Sequence, residues 1–588
     1  MVNLINAEVI TKSYGKGNVL DGVSLGVAAS ERIGVVGING GGKSTLLKIL
    51  AGVEVPDSGR YTQNNQLRLG HLAQIDAVDP LHSVREFLFD QQAAHDWATN
   101  PLAREVVMGL FGSLQPEILT KQLGQLSGGE RRRISLARLL ISDLNLILLD
   151  EPTNHLDIQG ISWLANHLKS RKNLAVVVIT HDRWFLDEVA DRVWEVVGSK
   201  VEEYDGGYSA YVLAKAERLR QAAAEDARRN NLIRKELAWL RRGAPARTSK
   251  PKFRVDAANQ LISKEPPPRN NVELLNFAVN RLGKRVFELT DVAYSIDESK
   301  SILKGVTINF GPGIRYGLLG ANGTGKTSLL RLLTGSAKPT TGKLVTGTTV
   351  KLGYLSQHLD ELDPSWRVLE AVQQVATYVD LGNGKELSAS QLCERLGFNA
   401  ASQWTPVADL SGGEKRRLQL TRILMSGPNV ILLDEPTNDF DVETLASLED
   451  LLDSFAGTLI VVSHDRYFIE RVCDQMYFLT GSGEFRHLPG GIDQYLDQPT
   501  EIEVAAFQPT KPKSGVNAWQ LQKDLTKVER KITQLNDQIT QIQLKMASAT
   551  NDYLKLQELQ REFERIANAK TEQEELWLKI QLNLDDEV

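Results

Sequence analysis

Long apolar runs that end in polar residues recur along the chain and predict its secondary structure. The stretch RIGVVGINGGGKSTLLKILAG combines an apolar run, a glycine-rich turn and a helical pattern, whereas LNLILLDE and LAVVVITHD are continuous apolar runs with polar ends. Such runs are typical of parallel strands buried on both faces, and an α/β sheet binds its ligand at the carboxyl ends of its strands. The pattern therefore predicts an α/β fold with a ligand site at that edge.

The same pattern occurs twice. Residues of four kinds recur at a spacing of 283 or 284 positions, namely Lys43 and Lys326, Gln74 and Gln357, Glu151 and Glu435, and His181 and His464. A constant spacing of this length indicates duplication of a whole domain of roughly 220 residues rather than a solenoid of short repeats. We expect the first domain at 1–212 and the second at 272–498.

Two further segments have helical patterns. At 213–271, helix-forming residues with apolar positions on one face are interrupted by Gly-Ala-Pro, which predicts a helical hairpin between the domains. After a polar connector at 499–517, apolar residues alternate at spacings of three and four, and the pattern resumes after an interruption. This pattern predicts an antiparallel coiled-coil hairpin at 518–588.

The composition is that of a globular protein. Of the 588 residues, 42% are hydrophobic and 24% are charged, so wholesale disorder is not expected. No apolar run approaches the roughly 20 residues that span a bilayer, and the first residues lack the layout of a signal peptide. The two cysteines, Cys393 and Cys473, form no CxxC pair. We expect a cytoplasmic protein without a disulfide framework, a zinc site or thiol catalysis.

The net charge of −6 is unevenly distributed along the chain. The segment 213–271 holds 15 Lys/Arg and 6 Asp/Glu, an excess of nine positive charges, so the remainder carries −15. A basic segment on an acidic body is typical of a protein that contacts a polyanion at one place.

Each copy contains a loop of the form G-x-x-x-x-G-K-[ST]. Its glycines allow backbone N–H groups to surround phosphates at a helix N-terminus, its lysine neutralises the β- and γ-phosphates, and its hydroxyl coordinates Mg²⁺. The residues expected to bind ATP are Gly37, Asn39, Gly40, Gly42, Lys43, Ser44 and Thr45 in the first copy, and Gly320, Asn322, Gly323, Gly325, Lys326, Thr327 and Ser328 in the second.

A pair of adjacent carboxylates follows an apolar run downstream of each loop. Asp150 and Asp434 are expected to hold Mg²⁺ through water, and Glu151 and Glu435 are expected to polarise the attacking water. Two neighbouring carboxylates with distinct roles are what in-line phosphoryl transfer to water requires. The sequence therefore predicts an ATPase that uses ATP and Mg²⁺.

The segments Leu126–Asp157 and Leu410–Asp441 contain LSGGE followed by LDEPTNHLD or LDEPTNDFD. LSGGE resembles the signature of the ATP-binding-cassette (ABC) family, and LDEPTNHLD is the form typical of its ABC-F subgroup. The resemblance is to Uup-type members and extends over essentially the whole chain. It implies two P-loop ABC ATPase cassettes in tandem, joined by a helical linker and followed by a C-terminal coiled coil.

In this family the two cassettes pack head to tail, here within one chain that we expect to be a monomer. The resemblance implies that each ATP lies between the phosphate loop of one cassette and the signature of the other. Ser127, Gly128 and Gly129 would then close over the ATP on Lys326, whereas Ser411, Gly412 and Gly413 would close over the ATP on Lys43.

Further positions match the family residue by residue. Tyr14 and Tyr294 match the aromatic that stacks on adenine, although each could instead be a half-buried strand residue. The other matches are Gln74 and Gln357, which sense Mg²⁺ and water, the switch histidines His181 and His464, which contact the γ-phosphate, and Asp157 and Asp441, whose loop links the two sites.

The basic linker has two possible interpretations. From Trp239 to Arg254 it holds six Lys/Arg and no acid, namely Arg241, Arg242, Arg247, Lys250, Lys252 and Arg254. It could be a solvated connection, or its clustered positive charge beside aromatic residues could contact nucleic acid. The family resemblance favours contact with tRNA and ribosomal RNA. The tail resembles a segment associated with DNA binding, but it could equally be a structural hairpin that docks on protein.

These observations leave three functions open. The leading hypothesis is a cytosolic ATPase that acts on the ribosome as a translation or assembly factor. The alternative is an ATPase that binds DNA structures in genome maintenance through the coiled coil. The third, an ATPase subunit of a transporter, is disfavoured by the tandem fusion with a basic helical linker.

Overall fold

The structure, a computed structural model, describes most of the two duplicated regions. The described residues are 3–15, 17–73, 80–89, 100–112, 117–218, 220–221, 282–297, 300–356, 362–382, 385–437, 440–453 and 455–497, with single positions between 527 and 573. Apart from those positions, the predicted linker beyond residue 221 and the predicted coiled coil lie outside the described residues. Both therefore stay predictions.

The chain divides into two compact units. One comprises Met1–Ile75 and Asp143–Gln498, and the other comprises Asp76–Ser142 and Pro499–Val588. Both phosphate loops belong to the first unit. The signature segment at Ser127 belongs to the second, whereas the signature segment at Ser411 belongs to the first.

Two sheets form the first duplicated region. Its strands are β1 (Asn3–Tyr14), β2 (Gly17–Ala28), β3 (Arg32–Gly37), β4 (Ser58–Gln63), β5 (Leu69–Leu72), β6 (Leu146–Asp150), β7 (Ala175–Ile179), β8 (Arg192–Val197) and β9 (Lys200–Asp205). The larger sheet has the order β5-β6-β7-β3-β8-β9, in which the first five strands are parallel and β9 is antiparallel to β8. The smaller sheet has the antiparallel order β2-β1-β4.

The second duplicated region repeats this topology. Its strands are β10 (Phe287–Asp297), β11 (Lys300–Phe310), β12 (Arg315–Leu319), β13 (Thr341–Thr346), β14 (Leu352–Leu355), β15 (Tyr378–Gly382), β16 (Lys385–Ser388), β17 (Val430–Asp434), β18 (Thr458–Val462), β19 (Gln475–Leu479) and β20 (Phe485–His487). The larger sheet has the order β14-β17-β18-β12-β19-β20, the smaller has β11-β10-β13, and β15 and β16 form a separate hairpin. Equal strand order in the two larger sheets agrees with the predicted duplication.

The helices complete both regions. They are α1 (Lys43–Leu50), α2 (Val84–Phe89), α3 (Pro101–Phe111), α4 (Gly128–Ile141), α5 (Ile158–Ser170), α6 (Arg183–Val189), α7 (residues 208–218), α8 (Lys326–Leu333), α9 (Val368–Gln373), α10 (Ala389–Arg395), α11 (Gly412–Met425), α12 (Val442–Asp453), α13 (Arg466–Val472) and α14 (Gly491–Leu496). Helices alternate with the parallel strands along the chain, as in α/β folds.

The central strands are buried along their whole length. Every residue of β6 (LILLD), β7 (AVVVI), β17 (VILLD) and β18 (TLIVV) is buried. Burial of one such aliphatic side chain contributes about 1.5–3 kcal/mol, so these strands anchor each region. Their carboxyl ends carry the predicted acids, because β6 ends at Asp150 and β17 ends at Asp434.

The second unit contains the helices α2, α3 and α4. The side chain of Asn100 caps α3 by accepting from the N–H groups of Leu102 and Ala103, and Pro101 occupies the first turn, where its missing N–H is tolerated. Within this unit the Arg138 guanidinium lies over the Phe87 ring at 4.5 Å.

Candidate active sites

The phosphate-loop segments connect β3 to α1 and β12 to α8. Gly42 and Gly325 precede these helices with φ of 103° and 106°, a backbone conformation that favours glycine. A Cβ atom at these positions would lie 2.6 Å from Val19 Cγ1 and 2.1 Å from Ile302 Cγ2. The second glycine of each motif is therefore required both by the turn and by close packing.

Each loop lysine is directed back along its own loop. Lys43 Nζ donates to the carbonyls of Gly37 at 2.7 Å and Ile38 at 3.1 Å, and Lys326 Nζ donates to the carbonyl of Gly320 at 2.7 Å. Burial lowers the pKa of both lysines, although neighbouring carboxylates oppose the shift. A buried ammonium group at the N-terminus of a helix suits an anionic ligand.

The two glutamates have an unusual backbone conformation. Glu151 has φ of 51° and Glu435 has φ of 49°, and their N–H groups donate to Ile179 and Val462 carbonyls on neighbouring strands at 2.8 Å. A left-handed conformation in a residue other than glycine costs on the order of 1–3 kcal/mol and is enriched at functional sites. Each strained glutamate directly follows the last residue of a buried strand.

A histidine lies beside each of these glutamates. His181 Nε2 is 3.2 Å from Glu151 Oε1, and His464 Nε2 is 3.4 Å from Glu435 Oε1. Burial, helped by the charge of Lys43, lowers the pKa of His181 to about 3, and burial together with Lys326 holds the pKa of His464 well below its usual value. Both imidazoles are therefore neutral at pH 7.

Burial also acts on the carboxylates of the second cassette. It raises the pKa of Glu435 to about 7, with Asp434 adding to the shift and Lys326 opposing it. A carboxyl group that titrates near neutrality can accept a proton at working pH.

Asp434 has the features of a cation ligand. Burial raises the pKa of Asp434, Thr327 hydrogen bonds to it, and its Oδ2 atom is buried without a hydrogen-bond partner among the described residues. An orphaned carboxylate oxygen beside a hydroxyl group is a suitable donor set for a hard divalent cation, so these residues fit Mg²⁺.

One cleft brings together residues of both cassettes. Its volume is about 610 Å³, which is in the range typical of small-molecule sites. The first cassette contributes Tyr14, Asn39, Gly40, Gly42, Lys43, Ser44, Thr45, Asp150, Glu151 and His181 to the lining, and the second contributes Ser411, Gly412, Gly413 and Thr437. The phosphate loop of one cassette thus faces the signature segment of the other.

Hydrogen bonds cross between the cassettes at both phosphate loops. The Asn39 N–H donates to Asp441 Oδ2 at 3.4 Å, and Asn322 Nδ2 donates to the His155 carbonyl at 3.1 Å. Asn322 Oδ1 also lies 3.0 Å from His464 Nε2. Asp157, in the same loop as His155, acts electrostatically on Lys326. The loop that precedes α5 and the loop that precedes α12 therefore each reach the opposite site.

The two signature segments have the same local geometry. Ser411 caps α11 and exchanges hydrogen bonds with Glu414, whose side chain accepts from the Ser411 N–H at 2.9 Å. In the second unit, Ser127 caps α4 and exchanges the same bonds with Glu130. These capping boxes fix the first turn, including Gly128 and Gly129, and leave a helix N-terminus suited to an anion.

The two tyrosines predicted to stack on adenine differ in exposure, and the remaining loop residues lie where the motif predicts. Tyr14 is exposed and its hydroxyl hydrogen bonds to Glu54, whereas Tyr294 is half-buried and packs against the core of the second cassette. Gly323 is a left-handed turn residue, and Thr327 and Ser328 lie in the first turn of α8.

Several predicted residues lie outside the described part of the chain. They are Gln74, Gln357 and the linker residues Arg241, Arg242, Arg247, Lys250, Lys252 and Arg254. Their roles stay predictions.

Sequence reasoning missed Arg416. Its buried guanidinium donates to the carbonyls of Asp434 at 2.7 Å and Glu435 at 2.5 Å, so it holds the strained turn in place. The signal was available, because Arg132 stands at the same position of the first LSGGE segment.

Comparison with known proteins places the chain in a family. A family profile described as ABC transporter matches residues 20–154 and 303–438, and a second profile with that description matches residues 194–275. YfmR of Bacillus subtilis, described as an uncharacterized ABC transporter ATP-binding protein, is 34% identical over 634 aligned positions, which cover 100% of each chain. The energy-dependent translational throttle protein EttA of Escherichia coli K12 is 35% identical over 82% of this chain and 92% of its own.

This chain belongs to the ABC-F family. Its two tandem cassettes make it an ATP-binding protein and an ATPase. The EttA of Mycobacterium tuberculosis H37Rv is 36% identical over 81% of this ABC-F chain and 91% of its own. Among solved structures, an archaeal ribosome recycling factor ABCE1 in complex with the ribosomal stalk protein aP1 has a TM-score of 0.58 at 22% identity, over 83% of this chain and 92% of that one. That likeness concerns the fold. Among the described residues of this ABC-F ATPase, no helix is long and apolar enough to cross a membrane.

Removing both glutamate carboxylates should stop turnover while ATP binding persists. We expect Glu151→Gln with Glu435→Gln to hydrolyse ATP at least about a hundredfold more slowly, the usual scale for loss of a general base, because Gln cannot accept the proton of water. Steady-state phosphate release and equilibrium ATP binding provide the two measurements. Near-normal turnover in the double variant would remove these glutamates from the mechanism.

The raised pKa of Glu435 predicts the pH dependence of the second site. In a Glu151→Gln background, kcat/KM should be maximal above pH 7 and should fall about tenfold per unit below it, because the protonated carboxyl cannot act as a base. The pH profile of single-site hydrolysis measures this effect. A flat profile from pH 6 to pH 8 would contradict the assignment.

Proposed function

We propose that this chain is a Uup-type ABC-F ATPase that hydrolyses Mg²⁺-ATP at two composite sites in order to change conformation on the ribosome. We further propose that it is a cytosolic monomer. The observation that carries the composite sites is the cleft shared by the Lys43 loop and the Ser411 signature. The ribosome as partner is supported by similarity to EttA, whose name describes a translational throttle protein.

The residues of each site would divide the work of hydrolysis. The loop amides and Lys43 or Lys326 would bind the β- and γ-phosphates, and the opposite signature would supply N–H and hydroxyl donors. Glu151 or Glu435 would orient the attacking water and accept its proton.

Ser44 and Asp150 in the first site, and Thr327 and Asp434 in the second, would hold Mg²⁺. Gln74 and Gln357 would complete these sets. Bound Mg²⁺ supplies charge neutralisation for the phosphates during transfer.

The neutral histidines suit contact with the γ-phosphate. A neutral imidazole can donate one hydrogen bond from Nε2 to a phosphate oxygen, and its low pKa avoids a second buried cation beside each lysine. Closure of the cassettes would bring these groups together, and phosphate release would allow the cassettes to separate.

The start of the linker is tied to the phosphate-loop strand of the first cassette. Lys215 of α7 donates to the buried Glu195 at 2.6 Å, and the Tyr211 hydroxyl donates to the same carboxylate at 2.9 Å. Glu195 lies on β8, and the next residue, Val196, pairs with Gly37. Movement of the loop strand could therefore reach α7 through this polar joint.

Among the described residues, the second cassette has an aromatic contact at the corresponding place. Phe478 occupies the position of Glu195 and packs on Tyr495 with ring centroids 5.1 Å apart. The polar contact between Glu195 and α7 thus occurs in the first cassette, which the basic segment follows in the sequence. This contrast supports a linker at 213–271 that follows the first cassette, between domains at 1–212 and 272–498 and ahead of the connector at 499–517 and the tail at 518–588.

The linker rather than the tail should carry the ribosome contact. In the Glu151→Gln, Glu435→Gln background, replacement of Arg241, Arg242 and Arg247 by Ala should strongly weaken co-sedimentation with ribosomes in ATP. If all three contact phosphates, the salt slope of binding should fall by about three, because each lost contact lowers it by about one.

A matched control removes the same charge elsewhere. Lys172, Lys338 and Lys343 are exposed, and their replacement by Ala should leave co-sedimentation unchanged. Truncation before Trp519 should also spare ribosome binding. Ribosome binding that survives the linker change but is lost on truncation would refute the assignment, and binding to branched DNA without ribosome binding would favour the genome-maintenance alternative.

A further inference from the structure

A buried arginine connects the histidine loops of the two cassettes. Arg183 follows His181 by two residues, and its side chain, 6% exposed, reaches into the second cassette. There its guanidinium forms an ion pair with Glu449 of α12 and lies 3.2 Å from Asp465 Oδ2. Asp465 directly follows His464, so a single side chain bridges the loops that carry the two histidines.

The environment of Arg183 balances its charge. Glu449 is fully buried and also accepts from Arg471 Nη1 at 2.8 Å, and Asp465 caps α13 by accepting from the Phe468 N–H at 2.9 Å. Two arginines thus face two carboxylates. Charge-assisted hydrogen bonds of this kind hold a side chain in one geometry, and removal of one partner leaves an uncompensated buried charge.

The duplication supplies a reference for this contact. Arg466 occupies the position of Arg183 in the second cassette, but the residue aligned with Glu449 is the buried Ala165 of α5. Arg466 instead lies over the Trp184 ring at 4.5 Å and pairs at 3.2 Å with Asp493, whose carboxylate is 86% exposed. An exposed pair is screened by water and is weak.

A second polar contact runs in the opposite direction, from the second cassette to the first. The Tyr467 hydroxyl donates to Asp187 Oδ2 across the cassettes at 2.9 Å. The residue aligned with Tyr467 is Trp184, which has no hydroxyl group to donate. Each direction across the interface thus has its own polar contact, and the contact through Arg183 is the one that pairs with a fully buried carboxylate.

We propose that Arg183, held by Glu449, is a positioning residue that couples ATP binding at the two sites by linking the histidine loops through Asp465. This inference rests on the proposed two-site ATPase. Arg466 also reaches the first cassette, where it lies over the Trp184 ring and acts electrostatically on Asp182. Because the mirrored position has Ala165 in place of the buried Glu449, we expect most of the coupling to pass through the Arg183 bridge. Occupancy of the Lys43 site therefore stabilises the closed arrangement of the Lys326 site, and the reverse follows by linkage.

The test compares the affinity of the Lys326 site with and without nucleotide at the Lys43 site. A fluorescent non-hydrolysable ATP analogue with Mg²⁺ is titrated into a Lys43→Ala variant and a Lys326→Ala variant, which give the affinity of each site alone. The two-site isotherm of the full chain is then fitted with these affinities, and the remaining factor is the coupling factor. We expect a factor of at least about five, the lower end of typical allosteric coupling. Arg183→Met should reduce it to near one while changing the affinity measured in the Lys43→Ala background less than about twofold.

Matched variants make the outcome decisive. Arg466→Met removes the same side chain from the mirrored position and should retain most of the coupling. Arg183→Lys keeps the positive charge and should retain part of the coupling that Arg183→Met loses. Ala165→Glu should increase the coupling, because it offers Arg466 a buried partner. If Arg183→Met fails to fold, Glu449→Gln keeps the volume and should lower the coupling as well. Equal effects of Arg183→Met and Arg466→Met, or no effect of either, would overturn the proposal. If the unmodified chain does not bind the analogue at all, the proposed ATPase sites themselves are refuted.

Discussion

One hydrogen-bonded contact at each phosphate loop joins that loop to the opposite cassette. Asp441 accepts from the Asn39 N–H, and the His155 carbonyl accepts from Asn322. A triphosphate concentrates negative charge, and such charge is stabilised by preorganised hydrogen-bond donors. In the proposed composite sites, these contacts would hold the opposite cassette beside the nucleotide, which would give the duplication within one chain an electrostatic reason.

The two copies have diverged where they contact other parts of the protein. At and beside the phosphate loops, both copies keep the lysine, the strained glutamate and the neutral histidine. By contrast, Glu195 corresponds to Phe478, where only the first cassette leads into the linker, and Glu449 corresponds to Ala165 at the cassette interface. The two copies thus keep the same residues at their phosphate loops, whereas the residues around these loops differ.

The sequence predicted the α/β class, the duplicated cassettes and the strand ends that carry Asp150 and Asp434, because continuous apolar runs and glycine-rich loops are local signals. Positive φ at Glu151 was not predictable, because that conformation depends on a hydrogen bond to the neighbouring strand β7. The role of Arg183 was also missed. Its partners lie more than 260 residues away, and an alignment of the copies reveals residue types but not which side chains meet across the interface.

A structure of the Glu151→Gln, Glu435→Gln variant with Mg²⁺ and ATP tests the head-to-tail account most directly. The measurement is the set of distances from the γ-phosphate on Lys43 to the signature segment of the second cassette. We expect Ser411 Oγ and the Gly413 N–H to lie within about 3 Å of its oxygens, in hydrogen-bonding range. A nucleotide on Lys43 whose γ-phosphate contacts the first cassette alone, with Ser411 and Gly413 turned to solvent, would contradict the account.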